Sequence, residues 1–242
     1  ISSYRLTIQF AGAGRGNITS NPIGLDCSAD CTAEFDENTV VNLRATPSNF
    51  SGTPTWSGDA SCVDLDCSIE ITRSATITVT WPLAQSISAG GLTSCSTDPN
   101  GAGRLRCWGS GTDGALGYDA STDVGRGGMT IQQAGDVPVG FPVAHTEIGG
   151  SHACALSADG AMRCWGFGLA GQLGYSASLF VGDGSGPSIM QAGDVPVGLM
   201  VRDFDLGFEH TCAVRAAGYD SCWGDGSGGR LGYESTKCVG AG

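Results

Sequence analysis

Short segments in which apolar and polar residues alternate run through the first eighty residues of the chain. Four of them, rich in threonine, valine and isoleucine, lie at Tyr4–Phe10, Thr39–Ala45, Cys67–Thr72 and Ala75–Trp81. Successive side chains of a strand point to opposite faces, so Ile77 and Val79 would share one face and the neighbouring threonines the other. The alternation predicts a small β-rich module over residues 1–82 that ends at Pro82, and then a linker over residues 83–86.

The rest of the chain repeats one pattern three times. The triplet Cys-Trp-Gly begins at Cys107, Cys164 and Cys222, which are 57 and 58 residues apart, and each unit continues to Leu-Gly-Tyr. The segment Ala-Gly-Asp-Val-Pro-Val-Gly also occurs twice, again 58 residues apart. Identity at a fixed offset is typical of stacked, equivalent supersecondary units. The repeats span residues 87–145, 146–203 and 204–242, and the last of them is truncated.

Each repeat contains a predicted β-hairpin. In the second repeat a short apolar segment from His152 meets a Ser-Ala-Asp-Gly turn and returns to Trp165. Folding the chain about this turn places Cys154 opposite Cys164, and the third repeat folds in the same register. Cross-strand β-carbons lie close to the distance that a disulfide needs. We therefore predict one cross-strand disulfide per repeat, joining Cys95 to Cys107, Cys154 to Cys164 and Cys212 to Cys222.

Five of the eleven cysteines lie outside these hairpins. Cys27 with Cys31 and Cys62 with Cys67 sit in predicted loops, where local bridging is the simplest pairing, although four cysteines allow three connectivities. Cys238 has no equivalent in the other repeats, so we expect it to be unpaired or to bond to another chain. The spacings do not fit zinc ligands, and such cysteine density indicates an oxidising compartment.

Tryptophan and histidine recur at fixed positions in the repeats. A tryptophan follows the second cysteine of each hairpin and is expected to pack between repeats, at Trp108, Trp165 and Trp223. His152 and His210 are equivalent, but Thr93 stands at that position in the first repeat. Because the first repeat has no histidine at this position, we do not expect a catalytic role there. We interpret His152 and His210 as packing or hydrogen-bonding residues.

The pattern Gly-x-x-His-x-Cys-Ala, Cys-Trp-Gly and Gly-x-Leu-Gly-Tyr, over residues 83–242, resembles the regulator of chromosome condensation repeats. It is more similar still to their cysteine-bearing variants in secreted bacterial proteins. The resemblance implies blades of a β-propeller, which in that family has seven four-stranded blades. Because only three repeats are present, we expect a fragment of a longer protein or copies that complete one another.

The first module resembles the divergent internalin-B-type repeat modules of bacterial surface proteins. The matching segments include Leu6-Thr7-Ile8, Cys27 to Cys31, Ala45-Thr46-Pro47, Trp56-Ser57-Gly58 and Ile77-Thr78-Val79. Such modules are spacers or adhesive units, so the resemblance implies no catalytic residues. With the repeats, it predicts an all-β chain.

The charge of the chain and the motifs that it lacks reduce the number of function classes to consider. Lysine and arginine number 12 and aspartate and glutamate 24, a net charge of −12 that phosphate backbones would repel, so nucleic-acid binding is disfavoured. No apolar run is long enough to predict a membrane span. Asp183-Gly184-Ser185-Gly186 and Asp225-Gly226-Ser227-Gly228 resemble fragments of a calcium loop but lack its remaining ligands. Calcium binding stays an alternative because the domain is acidic. We assign no catalytic, cofactor-binding or metal-binding residue.

The leading hypothesis is a non-enzymatic bacterial protein, secreted or on the cell surface. It would act in binding, in adhesion or as a subunit of an extracellular fibre, with a protein partner or further copies of itself. Function is expected in the variable loops Ser121–Thr130 and Ala177–Ser188, because propellers present loops on a rigid scaffold. The alternatives are an enzyme inhibitor acting through rim loops, a GTPase exchange factor and an enzyme.

Overall fold

The computed structural model describes residues 2–98, 102–176, 179–198, 200–216 and 218–233. The chain forms two compact units, with the main boundary between Ala84 and Gln85. Both units are built of β-strands, which confirms the all-β fold class. Cys238 lies outside the described residues.

The first unit contains nine strands in two sheets. They are β1 (Ser3–Ala11), β2 (Gly16–Asn21), β3 (Asp26–Cys27), β4 (Cys31–Asp36), β5 (Val40–Pro47), β6 (Thr55–Gly58), β7 (Ser61–Val63), β8 (Asp66–Glu70) and β9 (Ala75–Thr80). The strand orders are β4-β1-β9-β6 and β3-β2-β5-β8-β7. Only β1 and β9 pair in parallel among these strands.

The core of the first unit follows the alternation in the sequence. Ile77 and Val79 of β9 are fully buried, as are Leu6 and Ile8 of the neighbouring β1. Trp81 closes this core, and its ring covers Gly16, where a Cβ would lie 2.2 Å from the ring. Burial of apolar surface is the main favourable contribution to the free energy of folding. The apolar faces of these strands therefore determine the strand register.

Two disulfides lie in the first unit. Cys62 and Cys67 face each other on β7 and β8, and they are bonded. Cys27 on β3 is bonded to Cys31 at the start of β4. Both bridges are the local pairings, but the cysteines lie on short strands and not in loops. Leu83 continues the unit beyond Pro82, since it is buried and bridges to Ser51.

The second unit repeats one three-stranded antiparallel sheet three times. The first blade contains β10 (Ile87–Gly90), β11 (Thr93–Thr97) and β12 (Leu105–Gly109), the second β13 (Val143–Ile148), β14 (His152–Ser157) and β15 (Met162–Gly166), and the third β16 (Val201–Leu206), β17 (His210–Arg215) and β18 (Asp220–Gly224). Each blade also includes the chain that follows its last strand. In the first two blades this chain forms a one-residue bridge back to the sheet, at Val124 and Val181.

The hairpin of each blade carries its disulfide in the predicted register. Cys95 pairs with Cys107, Cys154 with Cys164 and Cys212 with Cys222, each with a Cα–Cα distance of 4.1 Å. In every blade the two cysteines are direct cross-strand neighbours. The longer turn of the first repeat therefore leaves the pairing unchanged.

Short helical segments follow the sheets. Helices α1 (Ile131–Ala134) and α2 (Ile189–Ala192) occupy the same place in the first and second blades, and 3-10 turns span Thr112–Gly114 and Ser227–Gly229. Each α-helix starts with a capping box, formed by Thr130 with Gln133 and by Ser188 with Gln191. These caps satisfy backbone N–H groups that a four-residue helix would otherwise leave unpaired.

Successive blades are joined by a hydrogen bond from a tryptophan to a backbone carbonyl. The indole Nε1 of Trp165 donates to the carbonyl of Ala115 at 3.1 Å, and that of Trp223 donates to the carbonyl of Gln172 at 3.0 Å. Both acceptors directly precede the Leu-Gly-Tyr of the preceding blade. Both tryptophans are fully buried. We call this arrangement the blade joint.

The joint between the second and third blades includes a second polar pair. Thr211 Oγ1 donates to the same carbonyl of Gln172 at 2.8 Å and lies 3.1 Å from Nε2 of His152. Because the hydroxyl proton goes to the carbonyl, Nε2 carries the imidazole proton and donates to Thr211. Nδ1 of His152 is then a buried acceptor without a partner in the described chain. Burial, with the neighbouring His210, lowers the pKa of His152 to about 4.

Replacing Trp165 by phenylalanine should test the blade joint. The change removes the donor to Ala115 and leaves a small cavity, so we expect the free energy of unfolding to fall by about 2 kcal/mol. Trp108→Phe is the matched control, because Trp108 is half-buried and its indole donates to no acceptor within the described ranges. Urea unfolding of dilute protein should show a much smaller loss for this control. Equal losses would contradict the joint.

Acid should weaken the fold through His152. Between its usual pKa of about 6.5 and its value of about 4 in the fold, the unfolded chain binds a proton that the folded chain does not. The free energy of unfolding should therefore fall by roughly 3 kcal/mol as the pH drops across this window, and be unaffected above it. Urea titrations from pH 7 to 4 should show a shallower decline for His152→Gln. Parallel curves would show that His152 does not carry the effect.

Candidate binding site on the first blade

A cleft opens in the first blade between the chain that follows β12 and helix α1. Its volume is about 340 Å³. Lining side chains include Tyr118, Thr122, Val124, Met129, Gln133 and Asp136. Part of this lining comes from the loop Ser121–Thr130, one of the two segments in which the sequence predicts function. We call this cavity, with the lining residues given above, the first-blade cleft.

The tyrosine of Leu-Gly-Tyr fixes one side of the cleft. The hydroxyl of Tyr118 accepts a hydrogen bond from the backbone N–H of Cys107 at 3.0 Å. Carbonyl oxygens of Cys107 and Gly135 lie within 3.1 and 3.3 Å of the same hydroxyl and can accept its proton. Burial raises the pKa of Tyr118, so the side chain stays neutral at ordinary pH. Tyr118 therefore connects strand β12 to Gly135, the residue that follows helix α1.

The opposite side is held by the cap of helix α1. The backbone N–H of Gly125 donates to the carbonyl of Met129 at 2.7 Å, which closes the loop before the helix. The side-chain carbonyl of Gln133 accepts from the backbone N–H of Thr130 at 2.9 Å. The Met129 side chain remains 37% exposed beside this cap. A flexible apolar side chain thus stands at the edge of the cleft.

Asp136 supplies the charged group of the cleft. Its carboxylate accepts a hydrogen bond from Nε of Arg106 at 2.8 Å, and this pairing raises the pKa of Arg106. Both side chains are substantially exposed, so the ion pair contributes little to stability. The cleft therefore combines apolar side chains, at Met129, Ala134 and Pro138, with a hydroxyl and a paired carboxylate. Such a lining suits an apolar side chain of a partner protein.

The second blade has the same scaffold with different side chains. Tyr175 repeats the hydrogen bonds of the first-blade tyrosine, with Cys164 and Gly193 as partners, and burial raises its pKa to about 12. Leu179 replaces Thr122, and Phe180 packs edge-on against Phe167 with ring centroids 5.6 Å apart. The scaffold is thus constant between blades while the loop chemistry changes.

The aspartates that resemble calcium-loop fragments bond within their own turns. Asp183 accepts hydrogen bonds from the backbone N–H groups of Ser185 and Gly186, and hydrogen bonding lowers its pKa, with the Ser185 hydroxyl as the largest cause. Asp225 accepts from Ser227 in the same way and pairs with Arg230 at 3.3 Å. These carboxylates therefore serve to shape two turns.

Other candidate groups are dispersed. Asp66 forms an exposed ion pair with Arg44 at 2.9 Å in the first unit. The glycine-rich segment Gly12-Ala13-Gly14-Arg15-Gly16, a type of loop that can bind phosphate when a helix follows it, leads here into strand β2. Within the described part of the chain, no three histidine, cysteine, aspartate or glutamate side chains converge to hold a metal ion. No helix in these ranges is long and apolar enough to cross a membrane.

Comparison with protein families identifies one repeat directly. Residues 143–172 match the regulator of chromosome condensation (RCC1) repeat. This segment contains all three strands of the second blade. The second blade is therefore similar to an RCC1 repeat, and the first and third blades have equivalent three-stranded sheets.

The chain also resembles two human ligases over part of its length. It is 30% identical over 131 residues to human E3 ubiquitin-protein ligase HERC2 and 30% identical over 133 residues to human probable E3 ubiquitin-protein ligase HERC3. These matches cover 54% and 55% of this chain but 2% and 12% of those proteins. The chain thus spans a small part of the curated relatives that it matches.

Similar solved structures include two eukaryotic proteins. Human WBSCR16 is 19% identical, with 88% of this chain and 50% of that chain covered and a TM-score of 0.47. Prp20p from Saccharomyces cerevisiae is 18% identical, with 78% and 42% covered and a TM-score of 0.41.

Proposed function

We propose that the protein is a non-enzymatic binding protein of the cell surface or the secreted space, and that the first-blade cleft holds an apolar side chain of a protein partner. The five disulfides are the observation that carries the proposal. Cysteines persist in this form in oxidising compartments and are kept reduced in the cytosol. An origin in bacteria and an adhesive role of the first unit belong to the same proposal, and both are supported by the sequence resemblances alone.

Protein recognition is supported by the chemistry of the cleft and of the whole chain. The lining offers apolar surface from Met129, Ala134 and Pro138 beside the hydroxyl of Thr122. A net charge of −12 disfavours nucleic acids and other polyanions as ligands. Because α1 and Tyr118 hold both sides of the cleft in place, a partner would bind without ordering a flexible loop, which favours affinity.

A non-enzymatic role is supported by what the candidate catalytic groups do. The imidazole of His152 is completely buried inside a blade joint, and Asp183 and Asp225 are used in turns. The ligase activity in the names of the two human relatives belongs to proteins of which this chain covers small parts. Inhibition of an enzyme is a second candidate, since an inhibitor would use the same kind of cleft.

Site-specific photocrosslinking tests the proposal. A photoreactive amino acid at Met129 should crosslink a protein from the extracellular fraction of the source organism. The matched control is Met190, which lies on α2 of the second blade and is 60% exposed. We expect a crosslinked partner from position 129 only, and loss of that product when Thr122→Arg fills the cleft. Equal crosslinking from both positions, or none from either, would contradict a binding role for the cleft.

A further inference from the structure

The first unit carries a cavity of about 420 Å³ beside the end of strand β1. Its lining includes Phe10, Arg15, Ser28, Asp30 and Trp81, all of which belong to the first unit. The lining therefore combines aromatic residues with a hydroxyl, a carboxylate and a guanidinium. We call this cavity the first-unit pocket.

A turn closed by a disulfide holds the carboxylate and the hydroxyl of the pocket. The bond between Cys27 and Cys31 closes the turn that carries Ser28 and Asp30. Oδ1 of Asp30 accepts a hydrogen bond from the backbone N–H of Phe10 at 2.7 Å, so this turn is fixed to strand β1. A ligand would meet these groups already in position, and less conformational entropy would be lost on binding.

The glycine-rich segment between β1 and β2 forms another part of the wall. Gly12 and Gly14 line the pocket, and the N–H of Gly14 donates to the carbonyl of Trp81 at 2.8 Å. A Cβ at Gly12 would lie 2.3 Å from the same carbonyl oxygen, so the backbone can approach this closely only without a side chain. The backbone N–H of Arg15 donates to the hydroxyl of Ser51 at 2.8 Å. The segment therefore has a packing role, and it holds the backbone of Arg15 at the pocket.

The aromatic residues supply an apolar surface. The rings of Phe10 and Trp81 stack with their centroids 6.2 Å apart and an interplanar angle of 27°. Trp81 is fully buried, whereas Phe10 is half-buried and lines the pocket. Because Phe10 stacks on a buried ring, its orientation is fixed, and it offers a flat apolar surface to a ligand.

The chemistry of this lining favours an uncharged ligand that has both an apolar face and hydroxyl groups. Asp30 and Arg15 carry opposite charges, so a charged ligand would be attracted by one of them and repelled by the other. A carboxylate only accepts hydrogen bonds and a guanidinium only donates them, so together they suit hydroxyl groups, which do both. The ring of a neutral sugar meets these requirements, because its C–H groups form an apolar face and its hydroxyls surround the edge.

We propose that the first-unit pocket binds a neutral saccharide. A sugar ring packs against Phe10, and its hydroxyls donate to Asp30 and accept from Arg15. The inference names a ligand class for the adhesive role of the first unit, and it rests on that part of the proposed function. It does not involve the first-blade cleft, which lies in the second unit.

Titration of the ¹⁵N-labelled full chain with sugars tests this assignment. The neutral probes are cellotriose, maltotriose, chitotriose and lactose, and the charged comparisons are glucosamine and glucuronic acid. We expect at least one neutral probe to bind with a Kd of about 1 mM or below and to shift the backbone amide signals of Phe10 and Asp30. Failure of all four neutral probes to bind at about 10 mM, or tighter binding of a charged sugar, would overturn the proposal.

Two substitutions with matched controls locate the site. Phe10→Leu removes the ring and Asp30→Asn removes the charge, and each should weaken sugar binding about tenfold. Tyr4→Leu changes another half-buried aromatic residue of β1, and Asp36→Asn changes an exposed aspartate at the far end of β4. Both controls should bind the sugar as the unmodified protein does. Losses of the same size in a variant and its control would overturn the site.

A variant of the first-blade cleft separates this proposal from the one above. Thr122→Arg should abolish crosslinking at the cleft and leave sugar binding unchanged, so failure of one site is distinguishable from failure of the other. Should Phe10→Leu fail to fold, Asp30→Asn decides the outcome, because it changes an exposed side chain. Unchanged sugar affinity in folded Asp30→Asn protein, or loss of sugar binding in Thr122→Arg, would contradict a saccharide site in the first unit.

Discussion

The hydrogen bond from a buried tryptophan to the carbonyl of the preceding blade is the contact on which the repeat unit depends. A single repeat cannot bury its apolar faces alone, so each blade needs a neighbour. Trp165 and Trp223 stabilise the joint in two ways. Each buries a large apolar ring, and each donates a hydrogen bond to a backbone carbonyl that the joint removes from water. The disulfide of each hairpin holds the strand that carries the tryptophan in register.

This constraint separates what is constant between blades from what varies. The joint, the disulfide and the tyrosine hydroxyl recur with the same partners, and they leave the loop after each last strand free to change. Thr122 in one blade and Leu179 in the next occupy the same place on this scaffold. A cleft with its own lining can therefore form on one blade without altering the contacts that stabilise the stack.

Much of the fold could be predicted from the sequence because equivalent residues of the three repeats make equivalent contacts. Cys154 and Cys164 could be paired from the hairpin alone, and the alternation around Ile77 identified β9. The strands at Thr55–Gly58 and Ser61–Val63 were missed because they are too short to show a period. The acceptors of the joint were missed because they are backbone carbonyls, which leave no trace in residue type. The sequence did contain one signal of the joint, the Gly-x-x-His spacing of Gly149 and His152. A Cβ at Gly149 would lie 2.4 Å from the imidazole, so the glycine is needed where the ring packs against the backbone.

Hydrogen exchange of the tryptophan indoles tests the blade joint most directly. In dilute ¹⁵N-labelled protein, the indole N–H groups of Trp165 and Trp223 should exchange orders of magnitude more slowly than that of Trp108, because only unfolding of a joint exposes them. Equal and rapid exchange of all three indoles would contradict the joint as the contact that holds the blades together.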